Sequence, residues 1–104
     1  FSFSLFCAIM RMILSSSFMD NTAPLQKVLA NTFSLYVKIH SFHWNVTGSR
    51  FHELHLLFET LYTTLWAQVD DIAEHMRVLG DFAPKNLSEM VASTEIIEAT
   101  TIPS

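Results

Sequence analysis

The two glycines of this chain, Gly48 and Gly80, bracket its longest stretch without a helix-breaking residue. Between them no proline occurs, and apolar residues recur at spacings of three and four, which is the rhythm of a helix that buries one face. Glycine commonly follows the last residue of a helix, and serine commonly precedes the first. The interval therefore predicts a single long helix, with Ser49 as its N-cap and Leu79 as its end.

A second apolar stripe lies in the first half of the chain. Six residues repeat at spacings of four and three: Leu25, Leu29, Thr32, Tyr36, Ile39 and His43. Pro24 in the first turn costs no hydrogen bond, because the first N–H groups of a helix have no partner within it, so we place the start near Asn21. Further on, Asn86 with Glu89 resembles a capping box, which predicts a short helix ending at about Glu98.

The composition indicates the fold class. Half of the 104 residues are hydrophobic, which suits a folded helical domain and excludes a disordered chain. Two long helices and one short helix cannot bury all of their own apolar surface, so a partner is required. We expect Trp66 and the phenylalanines to be core residues. The predicted fold is all-α and corresponds to half of a helical bundle.

Polar residues of the long helix form a stripe of their own. Four of them fall at roughly 0°, 40°, 60° and 100° around the axis: His55, Glu59, Asp70 and Glu74. The first two and the last two are each four residues apart, so each pair can hold a common ion. The pairs lie about 22 Å from each other along the helix, too far for one ion. Either there are two half-sites, or a second copy runs antiparallel across a two-fold axis near Thr64. We favour the second arrangement, because two-fold interfaces are the commonest kind.

His43, at the end of the first apolar stripe, adds a second imidazole to this set. Imidazole and carboxylate donors without sulfur suit iron(II) and manganese better than structural zinc, and bundle cores are known to hold carboxylate-bridged di-iron sites. The set therefore predicts an iron site at which Fe(II) is oxidised. We assign the metal ligands as His43, His55, Glu59, Asp70 and Glu74.

Each of these residues also has an ordinary structural interpretation. His43 could be a satisfied interior histidine, and the carboxylates could belong to a solvated helix face. Their coincidence on one stripe among apolar neighbours favours the metal site, because unpaired charge is costly there. We interpret His40, His52 and His75, which lie off the stripe or at its edge, as surface or supporting groups. Trp44 is either a core residue or a neighbour of the metal.

Charge and cysteine content limit the partners. The chain carries six basic and ten acidic residues, a formal net charge of −4. The basic residues are scattered and form no patch, which argues against nucleic acid as a partner. The single cysteine, Cys7, excludes an internal disulfide and fits a reducing compartment. We therefore expect a cytoplasmic protein that has no membrane partner.

Residues 1–18 are mostly apolar and differ from the rest of the chain. They lack the basic first region and the cleavage site of a signal peptide. As a membrane span they are too short and are interrupted by Arg11. They could also be a packed segment, or translated upstream sequence with Met19 as the natural start. We favour the last interpretation, which gives a non-native apolar extension over 1–18 and a domain over 19–104.

Three runs of the sequence share the pattern of one family. They are 35–48, with Leu35-Tyr36-Val37-Lys38 and His43-Trp44-Asn45-Val46-Thr47-Gly48; 51–59, with Phe51, Leu54-His55 and Phe58-Glu59; and 69–80, with Val69-Asp70, Ile72-Ala73-Glu74-His75-Met76-Arg77 and Leu79-Gly80. These runs resemble the Dps family, the ferritin-like DNA-binding proteins from starved cells, over about residues 20–104. The combined spacing is far more specific than any single pair.

The resemblance implies a ferritin-like four-helix bundle, of which this chain has the first two long helices and the short connecting helix. It also implies a ferroxidase site with ligands from two subunits: His43, His55 and Glu59 of one, and Asp70 and Glu74 of its two-fold mate. Position 59 often holds Asp in this family, and Glu keeps the carboxylate. Family members oxidise Fe(II), typically with hydrogen peroxide, protect against oxidative damage and store ferric mineral inside a hollow homo-dodecamer.

Two departures from the family pattern bear on these implications. The two further long helices of the family bundle are not in this sequence, which puts the dodecamer in doubt and suggests a fragment of a longer reading frame. Neither end carries the Lys/Arg-rich tail that DNA-binding members commonly use, so DNA binding has little support. A DNA-coating protein and an inactive structural fragment of a bundle are the alternatives to a ferroxidase.

Overall fold

The structure, a computed structural model, describes residues 22–104, so the predictions for residues 1–18, including Cys7, and for Met19 lie outside it. The described residues form three α-helices and no strand: α1 Thr22–Asn45, α2 Phe51–Val78 and α3 Leu87–Val91. α1 and α2 form an antiparallel hairpin, since contacts such as Phe42–Phe58 lie near the turn. This confirms the prediction of an all-α chain with two long helices and a short one.

Gly48 makes the turn of the hairpin. Its φ of +103° lies in the region where glycine has no steric penalty. The Phe51 N–H donates a hydrogen bond to the Gly48 carbonyl, 3.2 Å away, so Ser49 and Arg50 are the central residues of the turn. The prediction of Ser49 as the N-cap is therefore wrong: Arg50 occupies that position, and its side chain makes no capping hydrogen bond.

The end of α2 is close to its predicted position. The helix ends at Val78, one residue before the predicted Leu79, and Gly80 follows with a φ of +93°. The Asp81 N–H donates to the Met76 carbonyl and the Gly80 N–H to the Arg77 carbonyl, both at 3.1 Å. This pair of hydrogen bonds is the Schellman motif, which satisfies carbonyls that the helix itself leaves without partners.

Most of the aliphatic core lies at the end of the hairpin away from the turn. Leu29 and Ala30 on α1, with Met76 and Val78 on α2, are at most 7% exposed. Full burial of a Leu or Met side chain stabilises a fold by about 1.5–3 kcal/mol, so this end contributes strongly to the association of the two helices. Toward the turn the interface becomes aromatic, and the predicted ligand histidines lie there.

The short helix α3 begins as predicted but ends early. The Glu89 N–H donates to the Asn86 side chain at 2.9 Å, as in a capping box. The Glu89 carboxylate, however, accepts from the N–H of Lys85, 3.0 Å away, one residue before the position that a capping box requires. The helix ends at Val91, so the prediction that it continues to about Glu98 is wrong.

The segment after α3 is hydrogen-bonded to α1, which explains the early end of the short helix. The Asn31 side-chain oxygen accepts hydrogen bonds from the Glu95 N–H at 2.7 Å and from the Thr94 hydroxyl at 3.2 Å. A continued helix would need the same Glu95 N–H for its own backbone. Near the hairpin turn, the Thr47 N–H donates to the Pro103 carbonyl at 3.0 Å. The segment therefore follows α1 from its middle to its end.

Several large apolar side chains are uncovered in the described part of the chain. On α2, Leu57 is 50% exposed, Leu61 40% and Trp66 58%, while Phe82 after the helix is 68% exposed. The prediction of Trp66 and all phenylalanines as core residues is therefore wrong, because a two-helix hairpin covers only the facing stripe of each helix. None of the helices described is long and apolar enough to cross a membrane.

Candidate metal centre

The two predicted histidine ligands lie face to face across the hairpin. His43 is in the last turn of α1 and only 7% exposed, and His55 is in the second turn of α2. Their ring centroids are 3.7 Å apart and the ring planes differ by 20°. The turn at Gly48 brings them together, because it reverses the chain between them.

Each of these imidazoles donates a hydrogen bond to the backbone of the other residue. His43 Nδ1 lies 2.8 Å from the His55 carbonyl oxygen, and His55 Nδ1 lies 2.8 Å from the His43 carbonyl oxygen. A carbonyl oxygen can only accept, so Nδ1 carries a proton in both rings, and Nε2 is the ring nitrogen that remains for a metal. Metal-binding histidines are typically held in this way, through an N–H on the nitrogen that does not bind the metal.

The predicted carboxylates lie farther along α2. Glu59, one turn after His55, is exposed. Asp70 and Glu74 lie near the other end of the helix together with Asp71, which the sequence analysis did not include, and one carboxylate oxygen of each lies within 4.8 Å of the others. Asp70 and Asp71 are exposed and Glu74 is half-buried. The three ion pairs among residues 22–104 involve none of these carboxylates.

Within one chain the two groups of predicted ligands do not meet. α2 is unbroken from Phe51 to Val78, so the distance along it from His55 to Asp70 is about 22 Å. The chain therefore presents two half-sets, one near the turn with His43, His55 and Glu59, and one at the far end with Asp70 and Glu74. The assignment of these residues as metal ligands stays a prediction.

His40 is a neighbour of this group that the sequence analysis placed at the surface or in a supporting role. Its ring centroid is 5.9 Å from that of His43, it stacks on Tyr62 at 3.8 Å, and its Nδ1 is hydrogen-bonded to the Tyr36 hydroxyl at 3.0 Å. Burial, and then the charge of His43, lowers the pKa of His40 below its ordinary value. His40 lies three residues before His43, on the same side of α1, and its assignment as a surface or supporting group stays a prediction.

The donors near the turn fit Fe(II) as a substrate. An imidazole binds a divalent ion through the lone pair of Nε2 without adding charge, and Glu59 can supply an anionic oxygen from the next turn. This nitrogen and oxygen set without sulfur suits iron(II). Three donors leave several coordination positions of the ion open for other ligands, including an oxidant.

Comparisons with known proteins agree with the helical architecture. Residues 22–101 match the family model of the ferritin-like domain. The chain is 41% identical over 76 residues to a DNA protection during starvation protein of Brevibacillus brevis, across 73% of this chain and 51% of that protein. It thus spans about half the length of the curated relatives it matches.

Solved structures show the same relationship. A Dps protein from Bacillus brevis superposes with a TM-score of 0.72 and 34% identity, over 89% of this chain and 57% of that one. A Dps protein from Vibrio cholerae O1, described as a member of a broad superfamily of ferritin-like diiron-carboxylate proteins, gives a TM-score of 0.75 and 28% identity, over 93% of this chain and 57% of that one. The chain therefore belongs to the ferritin-like family, and its relatives within that family are Dps proteins.

Proposed function

We propose that this chain belongs to a ferroxidase that oxidises Fe(II) with hydrogen peroxide at a di-iron site shared between two copies and stores the ferric product. The observation that carries the proposal is the His43/His55 pair, in which each ring is fixed by the other residue's carbonyl and keeps Nε2 free. The relationship to Dps proteins and to ferritin-like diiron-carboxylate proteins supports it.

A second copy of α2, running antiparallel, would supply the carboxylates that the first half-set lacks. With a two-fold axis near Thr64, Asp70 and Glu74 of the partner subunit come to lie opposite Glu59 and His55. The face concerned is open: Glu59 and Asp70 are exposed, and Trp66, which lies between them on the same side of the helix, is 58% exposed. A helix face that carries both an indole and unpaired carboxylates suits a partner that brings complementary ligands.

The donor set has a direct effect on the proposed reaction. Each of two Fe(II) ions gives up one electron, and hydrogen peroxide takes up two electrons and two protons to become two water molecules. The carboxylates favour the product, because the attraction between an anion and an ion grows with the charge of the ion. The imidazoles would hold Fe(II) through Nε2, and positions on the metal would stay open for peroxide.

Subunit complementation tests the shared site. We expect His43→Ala and Asp70→Ala each to abolish fast peroxide-driven Fe(II) oxidation, followed by the absorbance of the ferric product. In a random mixture of the two variants, half of the dimers are mixed and each mixed dimer has one intact site, so about a quarter of the activity should return. The matched control mixes His43→Ala with His55→Ala, two changes in the same half-set, and should restore nothing.

Two results would contradict the proposal. If mass spectrometry shows that subunits exchange and the His43→Ala/Asp70→Ala mixture stays inactive, the ligands are not shared in the proposed way. If both single variants keep the wild-type rate of Fe(II) oxidation, these residues are not the ferroxidase ligands, and the chain behaves as a structural fragment of a bundle.

A further inference from the structure

Three aromatic rings lie in a row beside the ligand histidines. The ring of His40 lies 3.8 Å from that of Tyr62, with only 8° between the planes. On its other neighbour, Trp44, the centroid distance is 4.1 Å and the angle 34°. His40 and Trp44 belong to α1 and Tyr62 belongs to α2, so the aromatic column (Trp44, His40 and Tyr62) joins the two helices.

Tyr36 fixes the ring at the centre of the column. Its hydroxyl is hydrogen-bonded to His40 Nδ1 at 3.0 Å, and its own ring meets that of His40 edge-on, with centroids 5.5 Å apart and planes at 63°. A ring that is stacked on Tyr62, packed at a tilt against Trp44 and hydrogen-bonded at one edge cannot turn without losing that bond. His40 is therefore held in one orientation, although none of its atoms belongs to the proposed ligand set.

The column also contacts the ligand His43. Tyr62 meets the His43 ring edge-on, with centroids 5.1 Å apart and planes at 68°, and His40 meets it at 5.9 Å and 62°. The stacked His55 ring covers a face of His43 at 3.7 Å. Rotation of the His43 imidazole about its Cβ–Cγ bond would drive it into these rings, and at 7% exposure there is little solvent space to receive it.

We infer that Tyr62, with His40 stacked on it, is a positioning residue that holds the His43 imidazole with Nδ1 toward the His55 carbonyl and Nε2 available to a metal. Tyr62 acts through its ring and touches neither metal nor oxidant. The inference rests on the proposed function in one respect, the role of His43 as a ligand. The orientation of His43 can be measured without any metal, so the two can be tested separately.

The test compares Tyr62→Leu, which removes the ring, with Tyr62→Phe, which keeps it. In metal-free protein, two-bond proton–nitrogen correlation spectra of the imidazoles report which ring nitrogen carries the proton. We expect His43 to be protonated at Nδ1 in the wild type and in Tyr62→Phe, and to become a mixture of both tautomers in Tyr62→Leu. The matched control is Phe58→Leu, which removes a ring from the same interface. The ring centroids of Phe58 and Phe42 lie 5.8 Å apart.

Titration with Co(II) in peroxide-free buffer provides the second measurement, because Co(II) binds such donors and stays divalent there. Loss of a group that orients a ligand typically weakens metal binding by about 10–100-fold, and we expect this for Tyr62→Leu. Tyr62→Phe keeps the ring against His43, and Phe58→Leu leaves it untouched, so both should stay within about threefold of the wild type. His40→Ala, which leaves the ligands and Tyr62 in place, should also weaken Co(II) binding and decides the question if Tyr62→Leu does not fold.

The inference is overturned if Tyr62→Leu, or His40→Ala in its place, has the helical content of the wild type and keeps both the Nδ1 tautomer of His43 and the affinity for Co(II). A failure of the proposed function looks different. In that case the wild type itself binds no Co(II), while the tautomer of His43 still responds to the loss of the Tyr62 ring.

Discussion

The contact between His43 and His55 permits a prediction in which stacking and hydrogen bonding are measured separately. Each Nδ1 hydrogen bond joins one ring to the other residue's backbone, so replacing one histidine by alanine removes one hydrogen bond. The stacking contact at 3.7 Å needs both rings, so either replacement removes it. The hydrogen bonds should therefore behave additively in a double-mutant cycle, and the stacking should not.

The expected magnitudes follow from this geometry. A hydrogen bond contributes about 1 kcal/mol net and a stacked pair of rings about 1 kcal/mol beyond its buried area. His43→Ala and His55→Ala should each lower the free energy of unfolding by about 2 kcal/mol, and the double variant by about 3 kcal/mol. The coupling energy is then about 1 kcal/mol, which is the stacking term counted once too often when the single effects are added.

Urea denaturation followed by circular dichroism measures these free energies. His52→Ala is the control, because His52 is an exposed histidine of the same helix and its replacement should change stability by less than about 0.5 kcal/mol. A coupling energy of zero, with each single variant destabilised, would show that the rings do not stack. Single variants as stable as the control would refute the hydrogen bonds as well.

Two further predictions concern the turn and pH. Gly48→Ala should lower the free energy of unfolding by about 1–2 kcal/mol, because φ at this position is +103° and a residue with a side chain resists that conformation. The new Cβ would meet Ser104 at 3.7 Å, an ordinary contact distance, so the cost is conformational. An unchanged urea midpoint would refute this argument. The pKa of His40 is lowered from 6.5 in the folded protein, so the unfolded chain binds more protons than the folded chain. The contribution of His40 to the free energy of unfolding is therefore complete above pH 6.5. It is lost as the pH falls through 6.5 and then through the lowered pKa of the folded protein. The melting temperature should fall between about pH 7.5 and about pH 5.5, and should fall less in His40→Phe; an equal fall in both proteins would assign the effect to other groups.

The helices could be predicted because their signals are local. A glycine at positive φ follows each long helix, and the apolar rhythm between them needs no knowledge of the rest of the chain. The errors arose where a contact from a distant part of the chain intervened. Glu95 could extend α3 as far as the local sequence is concerned, but its N–H is bound by Asn31 of α1, and no local pattern predicts that bond.

The candidate site was predictable in part for the same reason. The positions of His55, Glu59, Asp70 and Glu74 along α2 follow from helix geometry alone. The direct contact of His43 with His55 depends on the length of the turn and on how the two helices are rotated against each other, and neither can be obtained from one helix at a time. The contacts of His40 could not be predicted for this reason, since Tyr62, on which its ring stacks, lies on the other helix.

The two exposed faces of α2 need different partners, and this links the fold to the proposed site. Leu57 and Leu61 lie roughly opposite Glu59 and Asp70 around the helix axis, and all four are exposed. An apolar face is stabilised by further apolar surface, such as the two additional helices that the family resemblance implies. The acidic face gains nothing from such cover, because burial of unpaired carboxylates is costly. Under the proposed function the two faces therefore need different cover: further apolar surface completes the bundle, and a second copy of the same helix brings the ligands that complete the metal site.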